Sequence, residues 1–270
     1  MSNFTRIVRE AVKFFLKNGY ESQVELERWQ SLIRGAAEGE TAENYARMVT
    51  DRLTRTYDLQ VNRAGALKRH QGIGRFTIHH LEPRLRSELD RRILASVDLI
   101  KLNRSKAIDT TLSRFSGWAS SIPSAETIAL KGLQGTMLKT AKHIQKTAMQ
   151  MDFEARRVMI DQSHKLVANI DNVIATSNNA IAAEWHSHWR QPGYNYREDH
   201  KERDKHYYAI RGCWAFKKGF MKRGDSGYLD EITQPGEEVF CRCYVTYIYN
   251  LRSLPSDMLT EKGKAFLKVT

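Results

Sequence analysis

Residues 182–190 read AAEWHSHWR, and at this stretch the chain changes character. Bulky residues alternate with small or polar ones, the period-two pattern of a half-buried strand. Upstream, apolar residues recur at helical spacing. From Pro83 to about Gly117 the pattern, PRLRSELDRRILASVDLIKLNRSKAIDTTLSRF, predicts a long charged helix. Pro83 stands where a first helical residue is tolerated, having no N–H to lose. Pro123 ends or turns that helix. Residues 125–180 are helical again, with Met137, Leu138, Ile144, Met149, Val158, Leu166, Val167, Ile170 and Ile174 on the apolar face.

Nearer the N-terminus, Phe4, Ile7, Val8, Val12, Phe15 and Leu16 fall on one side of a helix over 4–18. Ser22 followed by Glu25 forms a capping-box signature before ELERWQSLI, and TAENYARMVTDRLTRTYDL at 41–59 is amphipathic. Gly35 and Gly39 punctuate the chain between these two, and Gly132 with Gly135 weakens the start of the later helix. Residues 62–82, NRAGALKRHQGIGRFTIHHLE, break the helical pattern, and the β-favouring run Phe76–Ile78 suggests a loop or small hairpin.

Downstream of 190 the elements are short. QPGYNY is a turn by composition, and 197–212 predicts a short helix followed by a strand at Tyr207–Ile210. Residues 213–238 form a basic, glycine-punctuated loop. VFCRCYVTYIYNL at 239–251 is the clearest strand, dominated by aromatic and β-branched residues. The fold class is α+β, a helical N-terminal region of long amphipathic helices followed by a small mixed domain with a short antiparallel sheet. The expected division is a helical docking region over 1–120, long helices over 121–180, the small domain over 181–250 and a C-terminal tail over 251–270. No repeat of fixed period and no sustained heptad pattern is present.

Composition narrows the class. The chain has 270 residues, of which 41% are hydrophobic and 27% charged with the signs interspersed, so it can bury a core and is not disordered throughout. No apolar window is long enough for a membrane-spanning helix. MSNFTRIVREAVKFFLKNGY interleaves charges with its apolar residues and lacks a secretory h-region, so retention in the cytosol is expected. Three cysteines fit a reducing compartment better than a disulfide scaffold. Forty-three Lys+Arg against 31 Asp+Glu give +12, a surplus that favours polyanionic neighbours.

The densest set of chemistry-bearing residues lies between Arg197 and Cys243. It comprises Arg197, Asp199, His200, Arg203, Asp204 and His206, then Gly212, then Pro235-Gly236-Glu237-Glu238, then Cys241-Arg242-Cys243. The ordered series Arg-x-x-His, glycine, Pro-Gly-Glu and Cys-Arg-Cys resembles the phage Mu F-protein-like family of head morphogenesis, or minor capsid, proteins. RRVMIDQSHKLVANIDNVIATSNNAIAAEWHSHW, 156–189, resembles the helix and first strand that lead into the motif in that family. The similarity spans about residues 150–250. It departs at Asn195-Tyr196, where an acidic residue is common, and in the long basic loop 213–231. The resemblance implies a minor virion component in the phage head, made in the host cytoplasm and assembled at the portal or inner capsid surface. Portal and major capsid proteins would be its partners, with packaged DNA nearby.

Physical readings of these residues stand beside the resemblance. On one strand, Cys241 and Cys243 would face the same side with Arg242 opposite. Such a pair could be small buried hydrophobes or, with His200 or His206, zinc ligands; a mutual disulfide is geometrically poor. Burial is the reading adopted, and no cofactor is expected. Arg197 and Arg242 could fork onto Glu237, Glu238 or Asp199 as clamps on the loop before the strand. A hydrolytic site with His200 as base, drawing in Asp199, Asp204 and His206, is a further alternative, although a run of alternating charges more commonly marks a solvated helix face. His186 and His188 form only a His-x-His pair. Two basic stretches are candidate contacts for nucleic acid or a partner groove: Arg63, Lys68, Arg69 and Arg75, and Lys217, Lys218, Lys222 and Arg223 among Trp214, Phe216 and Phe220. The expectation is therefore a non-enzymatic structural protein, with a DNA-binding virion protein as the first alternative.

Overall fold

A computed structural model describes residues 2–38, 42–63, 65–131 and 134–269; Gly39 and Gly132, singled out above, lie outside them. The elements run α1 (Asn3–Asn18), α2 (Gln23–Glu38), α3 (Ala42–Gln60), α4 (Arg75–His80), α5 (Glu82–Ser120), α6 (Ala125–Lys131), α7 (Gln134–Ser177), β1 (Ala182–His186), α8 (Glu198–Glu202), β2 (Tyr207–Ala209), α9 (Trp214–Lys217), β3 (Tyr244–Ile248) and α10 (Glu261–Val269). The α+β class is as expected: long helices and one small antiparallel sheet. No helix among the described residues is long and apolar enough to cross a membrane.

The chain divides into two compact units, and both are discontinuous. The first joins residues 1–49 to 95–158, the second 50–94 to 159–270. The sequence reading divided the chain consecutively instead. It missed this arrangement because α3, α5 and α7 are each continuous through the boundary, and helical periodicity carries no mark of where a helix changes partners.

In the first unit, the apolar stripe of α1 supplies Phe4, Val8, Ala11, Val12 and Phe15 to a core completed by Leu26, Ile33, Leu112, Phe115, Trp118, Ile144 and Met151. Ser2 caps α1 by accepting from the Thr5 N–H at 3.2 Å. Ser22 does the same for α2 through the Glu25 N–H at 3.2 Å, while the Glu25 carboxylate turns to Arg28. Gly35 is an exposed position within α2 rather than a break. Gly19 ends α1 at φ 71, where a Cβ would meet the backbone of residues 123–125.

The second unit holds the sheet, ordered β2-β1-β3 and antiparallel throughout. Ala183 lies opposite Tyr208 on one side and Tyr247 on the other, and Trp185 lies opposite Val245. Alternation sorts the strands onto two covered faces. Ala182, Ala209 and Ile248 pack with Cys213, Ala215, Met221, Leu251, Leu254, Met258 and Leu259. Ala183, Trp185, Tyr208, Val245 and Tyr247 pack with Ala175, Leu229, Cys241 and Cys243. Residues 251–269, expected as part of a tail, are thus packed: two 3-10 turns and α10 cover the first face, and Gly263 is required where a Cβ would collide with the Phe220 carbonyl.

Two local expectations are corrected. Residues 75–80 form α4, with Phe76 84% exposed and Ile78 buried, in place of a hairpin. The segment meets the sheet earlier, where the Arg69 carbonyl accepts the Tyr247 N–H at 2.8 Å and His70 bridges to Tyr247 in parallel. The strand expected over 239–251 begins only at Tyr244. Phe240 adopts φ 61, its N–H donates to the Asp161 carboxylate of α7 at 2.8 Å, and the turn carries Cys241 and Cys243 into the sheet from outside the ladder.

Candidate functional site

His200 lies on α8, whose short charged sequence read as a solvated face, yet it is 1% exposed. Its Nδ1 lies 3.6 Å from Cys241 Sγ and 3.5 Å from Cys243 Sγ. The three donor atoms all fall within 4.8 Å of one another and all three residues are buried, the one such grouping of possible metal ligands among the described residues. The other side of the imidazole is also confined. Nε2 is buried without a hydrogen-bond partner, and the nearest carboxylates are Glu238 at 3.8 Å and Asp199 at 3.9 Å. Trp185 meets the ring edge-on at 5.5 Å, with the Arg203 guanidinium 5.3 Å over the indole.

The two thiols share a site and titrate together. Cys241 is pulled well below the usual thiol range, first by the Cys243 S–H pointing at it, then by the backbone N–H groups of Gly236 and Cys243, against the opposing effect of burial. Cys243 is pushed up, chiefly because it holds that proton toward Cys241 and is itself buried. The two shifts belong to the pair rather than to either sulfur alone.

Of the remaining motif residues, those of the Arg197 and Pro235–Glu238 segments form the cradle of this cluster, and Gly212 lies apart from it. Arg197 pairs with Glu238 and donates to the Val239 carbonyl at 3.1 Å. Pro235 and Gly236 are buried, and Gly236, at φ 76, sits where a Cβ would lie 3.3 Å from both the Ala168 Cβ and the His164 carbonyl of α7. Glu237 accepts the Gln234 N–H at 2.8 Å and closes that turn. Gly212 is exposed at φ 67 in the turn after β2.

Several placements differ from the sequence reading. Among the described residues Arg242 reaches no carboxylate: it donates to Gln191 at 3.2 Å and lies over the Tyr194 ring. Asp199 pairs with Arg203 at 2.7 Å, and Arg203 in turn donates to Thr233 Oγ1 at 2.9 Å, so this arginine shares the clamping role. His206 is exposed and outside the donor cluster. Asp204 is no solvated residue, since it accepts the Ser187 N–H at 2.8 Å and the Trp189 indole N–H at 3.1 Å. β1 ends at His186, so His186 and His188 share no strand; His186 stacks on Tyr244 at 4.8 Å, and His188 lies tilted to that ring at 5.9 Å.

Beside the cluster lies a cavity of about 600 Å3 lined by Cys243, His188, His164, Arg242, Arg69 and Glu237, among others. Burial, then the Arg242 charge, lowers the pKa of both His164 and His188. A second buried polar group borders it: His70 Nδ1 is 2.6 Å from the Tyr249 hydroxyl, and its Nε2 is 3.3 Å from Asp171, which also accepts from Arg69 at 3.1 Å. The sequence reading missed this group. Asp171 carried a signal, being a lone acid beside Ile170 on the apolar face of α7; His70 carried none.

Of the basic candidates, Arg69 is half-buried in that ion pair and Arg63 is tied to Asp58 at 2.9 Å. Lys68, Arg75, Lys217, Lys218, Lys222 and Arg223 are exposed. The aromatics beside the second set face inward, with Trp214, Phe216 and Phe220 packed against the sheet's first face. No family model, no curated protein and no solved structure matches this chain.

Proposed function

We propose that the chain is a minor structural protein of a bacteriophage head, acting by binding during head morphogenesis at the portal or inner capsid surface. The observation that carries this reading is the convergence of the motif. Arg197 meets Glu238, His200 meets Cys241 and Cys243, and Gly236 seats their turn on α7, although the residues span 47 positions of sequence. Such closure is what a family-defining structural motif requires, and it supports the resemblance noted above. The first unit also exposes Leu99 and Leu102 on α5 and Met149 and Phe153 on α7, apolar side chains available for docking. Portal and major capsid proteins are the proposed partners, and the phage head the place of action.

Co-sedimentation with portal protein in the absence of DNA tests this directly, alongside deletion of the gene. Portal binding, and heads that are empty, mis-sized or non-infectious in the deletion, are expected. Normal infectivity and particle yield would overturn it.

Contact with DNA is the second reading, favoured by the exposed Lys217, Lys218, Lys222 and Arg223. Because the neighbouring aromatics are spent in the core, binding would run through phosphates without base stacking. Log affinity should then fall linearly with log salt, by about 0.9 for each phosphate neutralised. An affinity indifferent to salt removes this reading.

A further inference from the structure

We infer that Cys241, Cys243 and His200 bind a zinc ion, which ties α8 to the turn entering β3. The inference does not rest on the proposed role in the phage head.

The distances argue for it first. Zinc bonds of about 2.3 Å to sulfur and about 2.0–2.1 Å to imidazole nitrogen, opened to the tetrahedral angle, place the two donor atoms about 3.6 Å apart. The observed separations from His200 Nδ1 are 3.6 Å and 3.5 Å. The second argument is valence. One imidazole nitrogen offers a single lone pair or a single N–H, so it bonds at most one of the two sulfurs that approach it, the other turning to its neighbouring sulfur. A cation among the three atoms engages all of them.

Selection of the metal follows from the donors. Two thiolates and an imidazole are soft to borderline ligands, which suits zinc and disfavours magnesium or calcium. The surroundings approach those of a metal-binding histidine, although at 3.8 Å and 3.9 Å neither carboxylate yet bonds the ring. Ligation through Nδ1 requires the proton on Nε2, and that atom faces Glu238 and Asp199, with Arg197 holding the Glu238 carboxylate. Histidine ligands characteristically direct their second N–H at such a carboxylate. Binding displaces the thiol protons to solvent, and with three protein donors the fourth tetrahedral position falls to water.

The test uses the full chain, purified without a tag under reducing conditions from zinc-supplemented cells. Elemental analysis should find about one zinc per chain, lost in Cys241→Ser and Cys243→Ser and kept in Cys213→Ser, whose thiol lies against Met221 instead. Glu238→Gln should weaken zinc affinity about tenfold or more through the histidine it faces, with the metal still bound. Should the cysteine variants fail to fold, the wild type still decides: after removal of its metal by a chelator, added Co2+ should give thiolate-to-cobalt charge-transfer absorption and tetrahedral d–d bands. A metal-free wild-type chain that takes up no cobalt with these bands overturns the inference. So does zinc retained at full stoichiometry in the double cysteine variant.

Discussion

Replacing Gly236 by alanine adds one carbon atom to the turn that seats the cysteine cluster, and the structure separates its cost into two parts. The residue sits at φ 76, in the left-handed region, where an L side chain costs about 1–2 kcal/mol. The new Cβ would also lie 3.3 Å from the Ala168 Cβ and 3.3 Å from the His164 carbonyl, both on α7. Neither neighbour is the loose end of a long side chain, so overpacking adds about 1–2 kcal/mol. Gly212→Ala is the control: at φ 67 it bears the same backbone cost, but nothing lies within 4 Å of its Cβ. Any gain from a stiffer unfolded chain is common to both variants. Because the chain forms two units, global unfolding is a poor readout, and amide hydrogen exchange of β1 and β3 reports the second unit locally. Gly236→Ala should lower the exchange free energy of those amides by about 2–4 kcal/mol and Gly212→Ala by about 1–2 kcal/mol, a rate difference of roughly tenfold. If the two variants prove equal, the close seating of the turn on α7 is wrong, and with it the account of why Pro-Gly-Glu precedes Cys-Arg-Cys.

Two further outcomes follow from the same unit. His164 and His188 have pKa values held below their ordinary 6.5, by burial first and by Arg242 second. Between the folded and unfolded values the unfolded chain binds more protons, so their contribution to stability is complete above pH 6.5 and is lost as pH falls below it. The exchange free energy of the β1 and β3 amides should therefore drop between pH 7.5 and pH 5, and Arg242→Gln should shrink the drop; an Arg242→Gln profile identical to wild type would refute the assignment. Asp171→Ala removes the acceptor shared by Arg69 and the fully buried His70, stranding polar groups at about 3 kcal/mol. An exchange free energy of the β1 and β3 amides within error of wild type would show that this pair carries no such load.

How much of this was legible beforehand depended on whether a feature was local. The stripe of α1, the strand at Trp185 and the short helix followed by a strand at Tyr207 could be read because their periodicity is written in neighbouring residues. Cys241 and Cys243 were read as strand neighbours, and they do converge, but for a different reason. The Asp161 carboxylate, 79 positions away, captures the Phe240 N–H, and Tyr194 both accepts the Arg242 N–H and donates to the Phe240 carbonyl, each at 3.2 Å. No window of sequence shows such tertiary hydrogen bonds. His200 was obscured for a related reason: its neighbours Glu198, Asp199 and Lys201 are exposed or half-exposed, and a five-residue helix has too few turns to display a buried face.

The same contrast explains why the cluster does not need a strand to hold it. A β ladder would fix residues 241 and 243 on one side through backbone pairing alone, leaving their approach to α8 to chance. Here the backbone of 240–242 is fixed instead by side chains from α7 and from the turn at Tyr194, and α8 is fixed by Arg197 and Arg203 reaching residues 233–239. Each wall of the cluster is thus anchored to the other by groups outside it. The thiols and imidazole are then held at ligand spacing by contacts that are independent of any ion, a preorganised site in which little conformational freedom remains to be lost on binding. That arrangement predicts a chain whose second unit keeps its fold when metal is stripped and loses stability only in part. Amide hydrogen exchange of the chelator-treated protein measures it directly: protection retained across β1–β3, with a lowered exchange free energy, is expected. Collapse of the second unit on stripping would instead mean that the ion, rather than Asp161, Tyr194 and the two arginines, organises the turn.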